Sequence, residues 1–267
     1  MTLQAIHQHF GLHSAPFARA VPSAGLLPHR SFSESLTRIG LAIESRTPCL
    51  FSAEPGLGKS TLLGQVSDTI DSSKYRLVYT PLCACGPFGL VGQIAARYGL
   101  RPKRSGSLTA QALLDEIARV DLTQVWILDE AHRLPAASLD ELRLLCNSDF
   151  DRVAPFALVL AGQPALRDHL AEPEHTSLSQ RFAIRTSLSP LSDTETADYV
   201  ERRIRAAGAS SCPFRPTAIA KIFEHSRGVP RLINNYANAA LLAAATAKRK
   251  HVEPKDIADA VFDQEHA

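Results

Sequence analysis

Residues 53–61, AEPGLGKST, form a glycine-containing loop whose residue types and spacing suit a phosphate chain. Gly56 and Gly58 allow the backbone to curl so that successive N–H groups point at phosphate oxygens. The helix predicted to start at Lys59 adds the partial positive charge of its N-terminus. An apolar strand precedes the loop and a helix follows it, which is the context that a phosphate-binding loop requires. The loop therefore predicts a nucleoside triphosphate site.

The side chains of this loop have distinct expected roles. Lys59 is expected to neutralise the β- and γ-phosphates, Ser60 to bind Mg²⁺, and Thr61 to reach the α- or β-phosphate. The usual pattern opens with glycine, whereas this chain has Ala53. The residues predicted to contact nucleotide here are Glu54, Pro55, Gly56, Leu57, Gly58, Lys59, Ser60 and Thr61.

A pair of acidic residues supplies the second half of the predicted site. Residues 125–128 form an apolar run that delivers Asp129 and Glu130 to the carboxyl edge of a sheet. Asp129 is expected to hold Mg²⁺, and Glu130 to act as the base for the attacking water. Two adjacent carboxylates at this point are typical of ATPases with their own base, so the predicted cofactors are ATP and Mg²⁺. Gln163, at the end of another apolar run, is predicted to orient water between these elements.

Short apolar runs alternate with helical patterns through the first two thirds of the chain. Near-continuous apolar runs bounded by turn residues are typical of strands covered on both faces. The predicted strands are residues 49–54, 75–82, 124–130, 156–163 and 182–188, and the predicted helices between them are residues 59–71, 87–98, 110–120, 136–147 and 163–171. This alternation predicts an α/β fold with a five-stranded parallel sheet flanked by helices.

Beyond Pro190 the pattern becomes purely helical. Three of the expected helices begin at a proline, which suits the first turn of a helix. These helices are residues 194–207, 216–226, 230–247 and 254–262. The sequence therefore predicts a nucleotide-binding core over residues 1–191 and a small all-helical subdomain over residues 192–267.

Composition excludes several classes of protein. Of the 267 residues, 45% are apolar and 21% are charged, which is typical of a globular chain. The formal net charge of +2 gives no overall basic field for nucleic acid. The most apolar stretch, residues 237–247, is shorter than a bilayer span, and the N-terminus lacks the pattern of a secretion signal. A cytoplasmic protein without membrane contact is expected.

The cysteines bear on redox state and on metal binding. Their odd number, five, in a chain without a secretion signal indicates reduced thiols. Cys83 and Cys85 are two residues apart, but no second pair at ligand spacing accompanies them, which argues against zinc at this point.

The order of these elements, together with LSQRFAIRTSLSPLS at residues 178–192 and RGVPRLINN at residues 227–235, resembles the AAA+ ATPases. More narrowly, the chain resembles the ExeA-type branch, which includes secretion ATPases and the transposition regulators of the TnsC, TniB and MuB kind. The resemblance implies a P-loop AAA+ core followed by a helical lid. It also implies that Arg181, with Arg185 as the alternative, is an arginine finger in a neighbouring subunit's site. Arg231 falls at the second sensor, which contacts the nucleotide of its own subunit.

The resemblance leaves more than one function open. Secretion members carry a membrane helix and a peptidoglycan-binding extension after the ATPase, whereas this chain ends at Ala267, directly after the predicted lid. The expected function is therefore that of a DNA transposition regulator: a homo-oligomer, as a ring or helical filament, that assembles on double-stranded DNA with ATP and recruits a transposase. One alternative is an ExeA-like ATPase of a secretion or envelope-assembly system. Another is a nucleotide switch or DNA-binding scaffold without turnover.

One basic cluster could supply DNA contacts in such an oligomer. It contains Arg97, Arg101, Lys103 and Arg104. No acidic residue occurs between positions 87 and 111, so the local charge is positive although the chain is nearly neutral. A few cations per subunit, multiplied by an assembly, are sufficient to bind the phosphate backbone. A solvated loop without a partner remains the alternative for these residues.

Overall fold

The computed structural model describes four segments of the chain, residues 3–18, 28–81, 85–146 and 154–266. Cys83 lies outside these residues. The chain divides into two compact units. The α/β unit comprises Ser31–Pro55 and Lys59–Leu188, and the helical unit comprises Met1–Arg30, Gly56–Gly58 and Ser189–Ala267.

The α/β unit is built on a five-stranded parallel sheet with the order β2-β3-β4-β1-β5. The strands are β1 Cys49–Ser52, β2 Tyr75–Thr80, β3 Thr123–Leu128, β4 Phe156–Gly162 and β5 Ile184–Ser187. This sheet confirms the predicted fold class. The strands end one or two residues earlier than predicted, and residue 82 of the predicted second strand lies outside the described residues.

Burial on both faces of the sheet explains the apolar runs. Every residue of β1 and of β4 is buried. Trp126 on β3 has no exposed surface and stacks on Phe156 of β4, with the ring centroids 3.6 Å apart. The helices of this unit are α2 Arg30–Glu44, α3 Lys59–Thr69, α4 Pro87–Arg97, α5 Gly106–Arg119, α6 Ala136–Leu145, α7 Ala165–Ala171 and α8 Thr176–Ser179.

Three of these helices, α2, α5 and α8, differ most from the sequence prediction, and the short helix α8 was not predicted. Helix α5 begins at Gly106 rather than at position 110, because the Ser105 side chain caps it by accepting a hydrogen bond from the backbone N–H of Leu108 at 3.2 Å. Helix α2 was not predicted, although its buried residues Ser35, Ile39 and Ile43 recur at the four-residue spacing of one helix face.

The helical unit has its own apolar core. Its helices are α1 Leu3–Phe10, α9 Asp193–Ala206, α10 Pro216–Ser226, α11 Pro230–Thr246 and α12 Pro254–Glu265. Leu12 and Phe17, from the N-terminal part of the chain, belong to this core, and Phe17 meets Phe214 edge to face at 6.0 Å. The N-terminal residues therefore group with the C-terminal helices, whereas the sequence-based division placed them in the nucleotide-binding core.

Two predictions from composition can be compared with the described residues. Among these residues, no helix combines the length and apolarity needed to cross a bilayer. Cys49, Cys85, Cys146 and Cys212 are free thiols, as expected. Burial raises the pKa of Cys49 to about 12, so this thiol stays protonated and unreactive at neutral pH.

Candidate functional site

The parallel sheet brings three predicted site segments to one edge. In the ladder, Ser52 of β1 pairs with Gly162 of β4, and Leu128 of β3 pairs with Leu160 of β4. The phosphate loop, the acidic pair and Gln163 directly follow these strand ends. Because β4 lies between β1 and β3, Gln163 leaves the sheet between the other two segments. This is the edge at which α/β folds bind ligands.

The phosphate loop has the backbone conformation that its glycines predict. Gly56 and Gly58 have φ values of +93° and +100°, a region that residues with a Cβ atom rarely adopt. Ala53, at the position where glycine is usual, is 2% exposed, and its N–H donates to the carbonyl of Gly162 at 3.0 Å. Ala53 thus continues the pairing of β1 with β4, and the loop curls only beyond it.

Lys59 lies between the two predicted carboxylates. Its Nζ donates to Glu130 Oε1 at 2.7 Å and also contacts Asp129 Oδ1. The Lys59 side chain is 13% exposed and that of Asp129 5% exposed, so this ion pair is largely shielded from water. The structure therefore brings together the three side chains that the sequence assigned to phosphate, metal and water.

Further hydrogen bonds fix Asp129. The Tyr79 hydroxyl donates to Asp129 Oδ2 at 2.9 Å, and the backbone N–H of Glu130 donates to Asp129 Oδ1 at 2.7 Å. Both carboxylate oxygens therefore have donors, which orients the group that is expected to hold the metal. Tyr79 could not be predicted as a site residue, because a tyrosine on a strand is common and only the pairing of β2 with β3 places it here.

Glu130 has an unusual backbone conformation. Its φ and ψ are 54° and 31°, in the left-handed region. Within the described residues the other non-glycine residues with positive φ are Arg46, Arg227 and Lys248, which all lie at or just beyond the C-terminal end of a helix, where this conformation is common. Glu130 instead follows a strand. Strain of about 1–3 kcal/mol at such a position is typical of functional sites.

His132 joins the acidic pair to Gln163, and sequence reasoning missed it. Its Nδ1 accepts a hydrogen bond from the backbone N–H of Gln163 at 3.4 Å, and its Nε2 lies 3.9 Å from Glu130 Oε2. Because Nδ1 is the acceptor, the neutral ring carries its proton on Nε2, near the Glu130 carboxylate. The signal that was available is its place three residues after Asp129 in the DEAH sequence.

Arg231 contacts the glycine-rich part of the phosphate loop within the helical unit. Its backbone N–H donates to the carbonyl of Gly56 at 3.2 Å. A Cβ atom at position 56 would lie 3.0 Å from both Arg231 Cβ and Val229 Cγ1, so Gly56 is needed for space as well as for its positive φ. The Arg231 residue itself is exposed.

Arg181 and Arg185, the two candidates for the arginine finger, differ in their surroundings. Arg181 is half-buried and follows α8, and it retains its predicted role as an expectation. The Arg185 guanidinium donates to the carbonyls of Ser179 at 2.9 Å and Phe182 at 3.1 Å. Arg185 is therefore held by backbone carbonyls of its own loop.

The predicted DNA-contacting residues are exposed. Arg97 ends α4, whereas Arg101, Lys103 and Arg104 lie in the segment between α4 and α5. The backbone N–H of Lys103 donates to Thr109 Oγ1 at 2.9 Å, which ties this segment to the first turn of α5. The cluster is thus a defined surface feature of the α/β unit.

Sequence comparison gives a match to a family profile and a match to a curated protein. Residues 43–170 match the profile of a family described as an AAA domain. The chain is also 28% identical over 265 residues to general secretion pathway protein A of Aeromonas hydrophila. That alignment covers 96% of this chain and 48% of the relative, so the chain spans about half the length of this curated relative.

Several solved structures share the fold of this chain. Cdc6p from Pyrobaculum aerophilum gives a TM-score of 0.74 at 20% identity, over 93% of this chain and 70% of that chain. The Aeropyrum pernix ORC1 protein, solved in complex with DNA, gives a TM-score of 0.67 at 17% identity, over 94% of this chain and 69% of that chain. At these identities the likeness shows the fold, which is that of a P-loop AAA+ protein.

Proposed function

We propose that this protein is a Mg²⁺-dependent ATPase. The observation that carries the proposal is the cluster of Lys59, Asp129 and Glu130, in which one ammonium bridges two carboxylates beside a loop with two positive-φ glycines. This loop supplies backbone N–H groups for phosphate. The match of residues 43–170 to an AAA domain supports the same activity.

The residues of this cluster act in sequence when Mg²⁺ and ATP bind. Lys59 exchanges its carboxylate partners for β- and γ-phosphate oxygens, and Ser60 and Asp129 would hold the metal. Glu130, released from Lys59, then accepts a proton from the attacking water. When bound there, Mg²⁺ would supply positive charge that neutralises the phosphates. Arg181 of a neighbouring subunit is proposed to stabilise the charge that develops on the transferred phosphoryl group, so that turnover depends on assembly.

An assay of phosphate release by the protein, in the presence of ATP and Mg²⁺, tests this proposal. Glu130→Gln is expected to reduce kcat at least 100-fold while ATP binding is retained, because a general base contributes about 10²–10⁴-fold. Glu141→Gln, the same exchange on α6 away from the cluster, serves as the control and is expected to leave the rate unchanged. Equal rates for the parent protein and Glu130→Gln would show that Glu130 is not the base, and absence of ATP binding would remove the proposed function altogether.

The proposed biological context is a secretion or envelope-assembly system. The similarity to general secretion pathway protein A extends over 96% of this chain, which supports this context better than transposition. The transposase partner remains an expectation from resemblance alone. Because the ATPase draws on cytoplasmic ATP, we place this unit on the cytoplasmic side. Co-purification of the native protein with envelope proteins, compared between parent and Glu130→Gln, tests the context.

Binding of double-stranded DNA is a second candidate function. It is supported by the exposed basic cluster between α4 and α5 and by the fold shared with a protein solved in complex with DNA. Fluorescence anisotropy with duplex DNA should show affinity that falls as salt rises. The double variant Arg101→Glu and Lys103→Glu should weaken binding at least tenfold, whereas Arg119→Glu on α5 should not. Equal affinity for all three proteins would remove this cluster as the DNA site.

A further inference from the structure

Outside the nucleotide site, three potential metal ligands converge in one short segment of the α/β unit. His169, Glu172 and His175 each offer a donor atom, and these atoms all lie within 4.8 Å of one another. His169 is in the last turn of α7, Glu172 follows that helix, and His175 ends the short 3-10 turn Pro173–His175. The regular spacing of three residues places all the donors within seven residues of chain.

The local backbone holds this arrangement. The N–H of Glu172 donates to the carbonyl of His169 at 3.3 Å, and the N–H of His175 donates to the carbonyl of Glu172 at 2.9 Å. The imidazole rings of His169 and His175 meet edge to face with centroids 5.0 Å apart. The donors are therefore positioned by hydrogen-bonded turns and not by an extended loop.

A second observation points to a ligand. His175 is only 5% exposed, and its Nε2 has no hydrogen-bond partner among the described residues. Glu174 Oε1 lies 3.3 Å from this nitrogen but outside hydrogen-bonding geometry. A buried polar atom without a partner costs about 1–3 kcal/mol. This cost is removed if Nε2 binds a metal ion, or if Nδ1 does so and Nε2–H turns to Glu174, as in the carboxylate–histidine–metal arrangement.

We propose that His169, Glu172 and His175 form a site for a divalent transition metal, with Zn²⁺ as the best fit. Two imidazoles and one carboxylate are a common zinc donor set, with water in the fourth position. Donors within 4.8 Å of one another lie within about 2.8 Å of a common centre, and bond lengths near 2.1 Å need shifts of about 0.7 Å each. Glu172 is exposed and His169 is partly exposed, so the ion has an entry path.

The proposed metal would act as a local staple within the segment that follows β4. The segment that it closes lies between Gln163, at the end of β4, and Arg181, after α8. Binding would fix the end of α7 to the 3-10 turn and thereby stabilise the folded state by an amount that grows with the logarithm of the metal concentration above Kd. The metal site itself does not depend on the proposed ATPase activity.

Metal titration of the full chain, without an affinity tag and without nucleotide, tests this site. After treatment with a chelator, Co²⁺ is expected to bind one ion per chain with a visible absorption band, and Zn²⁺ is expected to displace it. Glu172→Gln and His169→Gln, both at solvent-accessible positions, should each weaken Zn²⁺ binding at least tenfold in competition with a chromophoric chelator. His251→Gln, an exposed histidine outside the cluster, should bind as the parent does.

Further measurements separate this site from the Mg²⁺ site and from misfolding. Asp129→Asn should retain the Co²⁺ band, because Asp129 is not a ligand of the proposed site. Zn²⁺ should raise the thermal midpoint of the parent but not of Glu172→Gln, and both proteins should share one circular dichroism spectrum. The proposal is overturned if less than one ion binds per chain at micromolar metal, or if Glu172→Gln and His169→Gln bind Zn²⁺ as tightly as the parent.

Discussion

Lys59 Nζ donates a hydrogen bond to Glu130 Oε1 at 2.7 Å, so the side chain expected to hold the γ-phosphate is paired with the expected catalytic base. The same ammonium contacts Asp129, the expected metal ligand. Lys59 therefore competes with Mg²⁺ and water for one oxygen of each carboxylate. ATP binding, which offers phosphate oxygens to Lys59, would therefore also release the two acids for their roles.

Lys59→Met should weaken nucleotide binding and should also lower the free energy of unfolding of the nucleotide-free protein. Loss of the ammonium removes the phosphate contact, and it also leaves Asp129, whose side chain is 5% exposed, as a shielded charge without its cation. Breaking a buried ion pair on one side costs about 3–5 kcal/mol, and the lower end applies because Glu130 is partly exposed. Urea unfolding without nucleotide should show a loss of about 3 kcal/mol.

The double variant Lys59→Met with Asp129→Asn provides the control for that loss. Removal of the uncompensated carboxylate should restore part of the free energy of unfolding, with a coupling of at least about 1 kcal/mol. ATP binding should stay weak in the double variant, because the phosphate contact is still missing. If the loss of free energy of unfolding in the double variant equals the sum of the losses in the two single variants, the ion pair contributes nothing to stability.

The α/β fold and most of the nucleotide cluster could be predicted from the sequence. Near-continuous apolar runs followed by Asp129 or by the glycine loop leave few alternatives, because parallel strands end at one edge of a sheet. The strand order could not be predicted, since no local pattern states that β4 lies between β1 and β3. The position of Gln163 between the other two segments therefore became clear only from the structure.

Arg181 should act on the ATP of a neighbouring subunit. Arg181→Ala and Glu130→Gln are each expected to be nearly inactive, since an arginine finger contributes about 10³–10⁵-fold to kcat. In an equal mixture of the two variants, about a quarter of the interfaces would join an intact Glu130 to an intact neighbouring Arg181 and should regain activity. Arg119→Ala mixed with the parent is the control. Failure of the mixture to recover any activity would place Arg181 in its own subunit's site or outside the site.

Other parts of the structure had a weak signal in the sequence or none. Tyr79 reaches the site through strand pairing, which residue spacing does not show, whereas the only signal for His132 was its place in the DEAH sequence. The first residues of the chain join the helical unit because Leu12 and Phe17 pack into its core, a tertiary preference that local patterns do not encode. The candidate metal cluster has the sequence pattern HxxExxH, but such a pattern is weak evidence for a metal site until the burial of the side chains and the distances between their donor atoms are known.

His132 should position Glu130 and not bind ATP. His132→Leu removes both the acceptor for the Gln163 N–H and the ring proton near Glu130, and we expect kcat to fall about tenfold with KM nearly unchanged. His132→Asn, whose side-chain oxygen can replace Nδ1 as acceptor, should recover part of the rate. If KM rises while kcat is constant, His132 contributes to binding instead.

Tyr98→Phe should destabilise the α/β unit through one buried hydroxyl. That hydroxyl accepts from Trp126 Nε1 at 2.9 Å and donates to Gln124 Oε1 at 2.8 Å. Removal of the hydroxyl leaves two buried polar groups without partners, at a cost of about 2–3 kcal/mol. Urea unfolding followed by the fluorescence of Trp126, the one tryptophan of the chain, measures this loss. Tyr75→Phe on β2 is the control, and we expect a change below about 0.5 kcal/mol.

Acid should weaken the helical unit partly through Glu195. Its carboxylate accepts the backbone N–H of Ser192 at 2.8 Å in the capping box of α9, and this hydrogen bond is the main cause that lowers the pKa of Glu195. Because the folded pKa lies below the unfolded one, the stabilisation is fully present above about pH 5 and is lost as the pH falls through the folded pKa.

Glu195→Gln isolates this contribution. The amide oxygen of glutamine can still accept the Ser192 N–H, but it does not titrate between pH 7 and pH 3. The difference in free energy of unfolding between parent and variant should therefore be largest at neutral pH and should shrink towards zero below the folded pKa. Other carboxylates with lowered pKa values, such as Asp256, affect both proteins equally. A difference that stays constant over this pH range would show that the cap acts through geometry and not through the charge of Glu195.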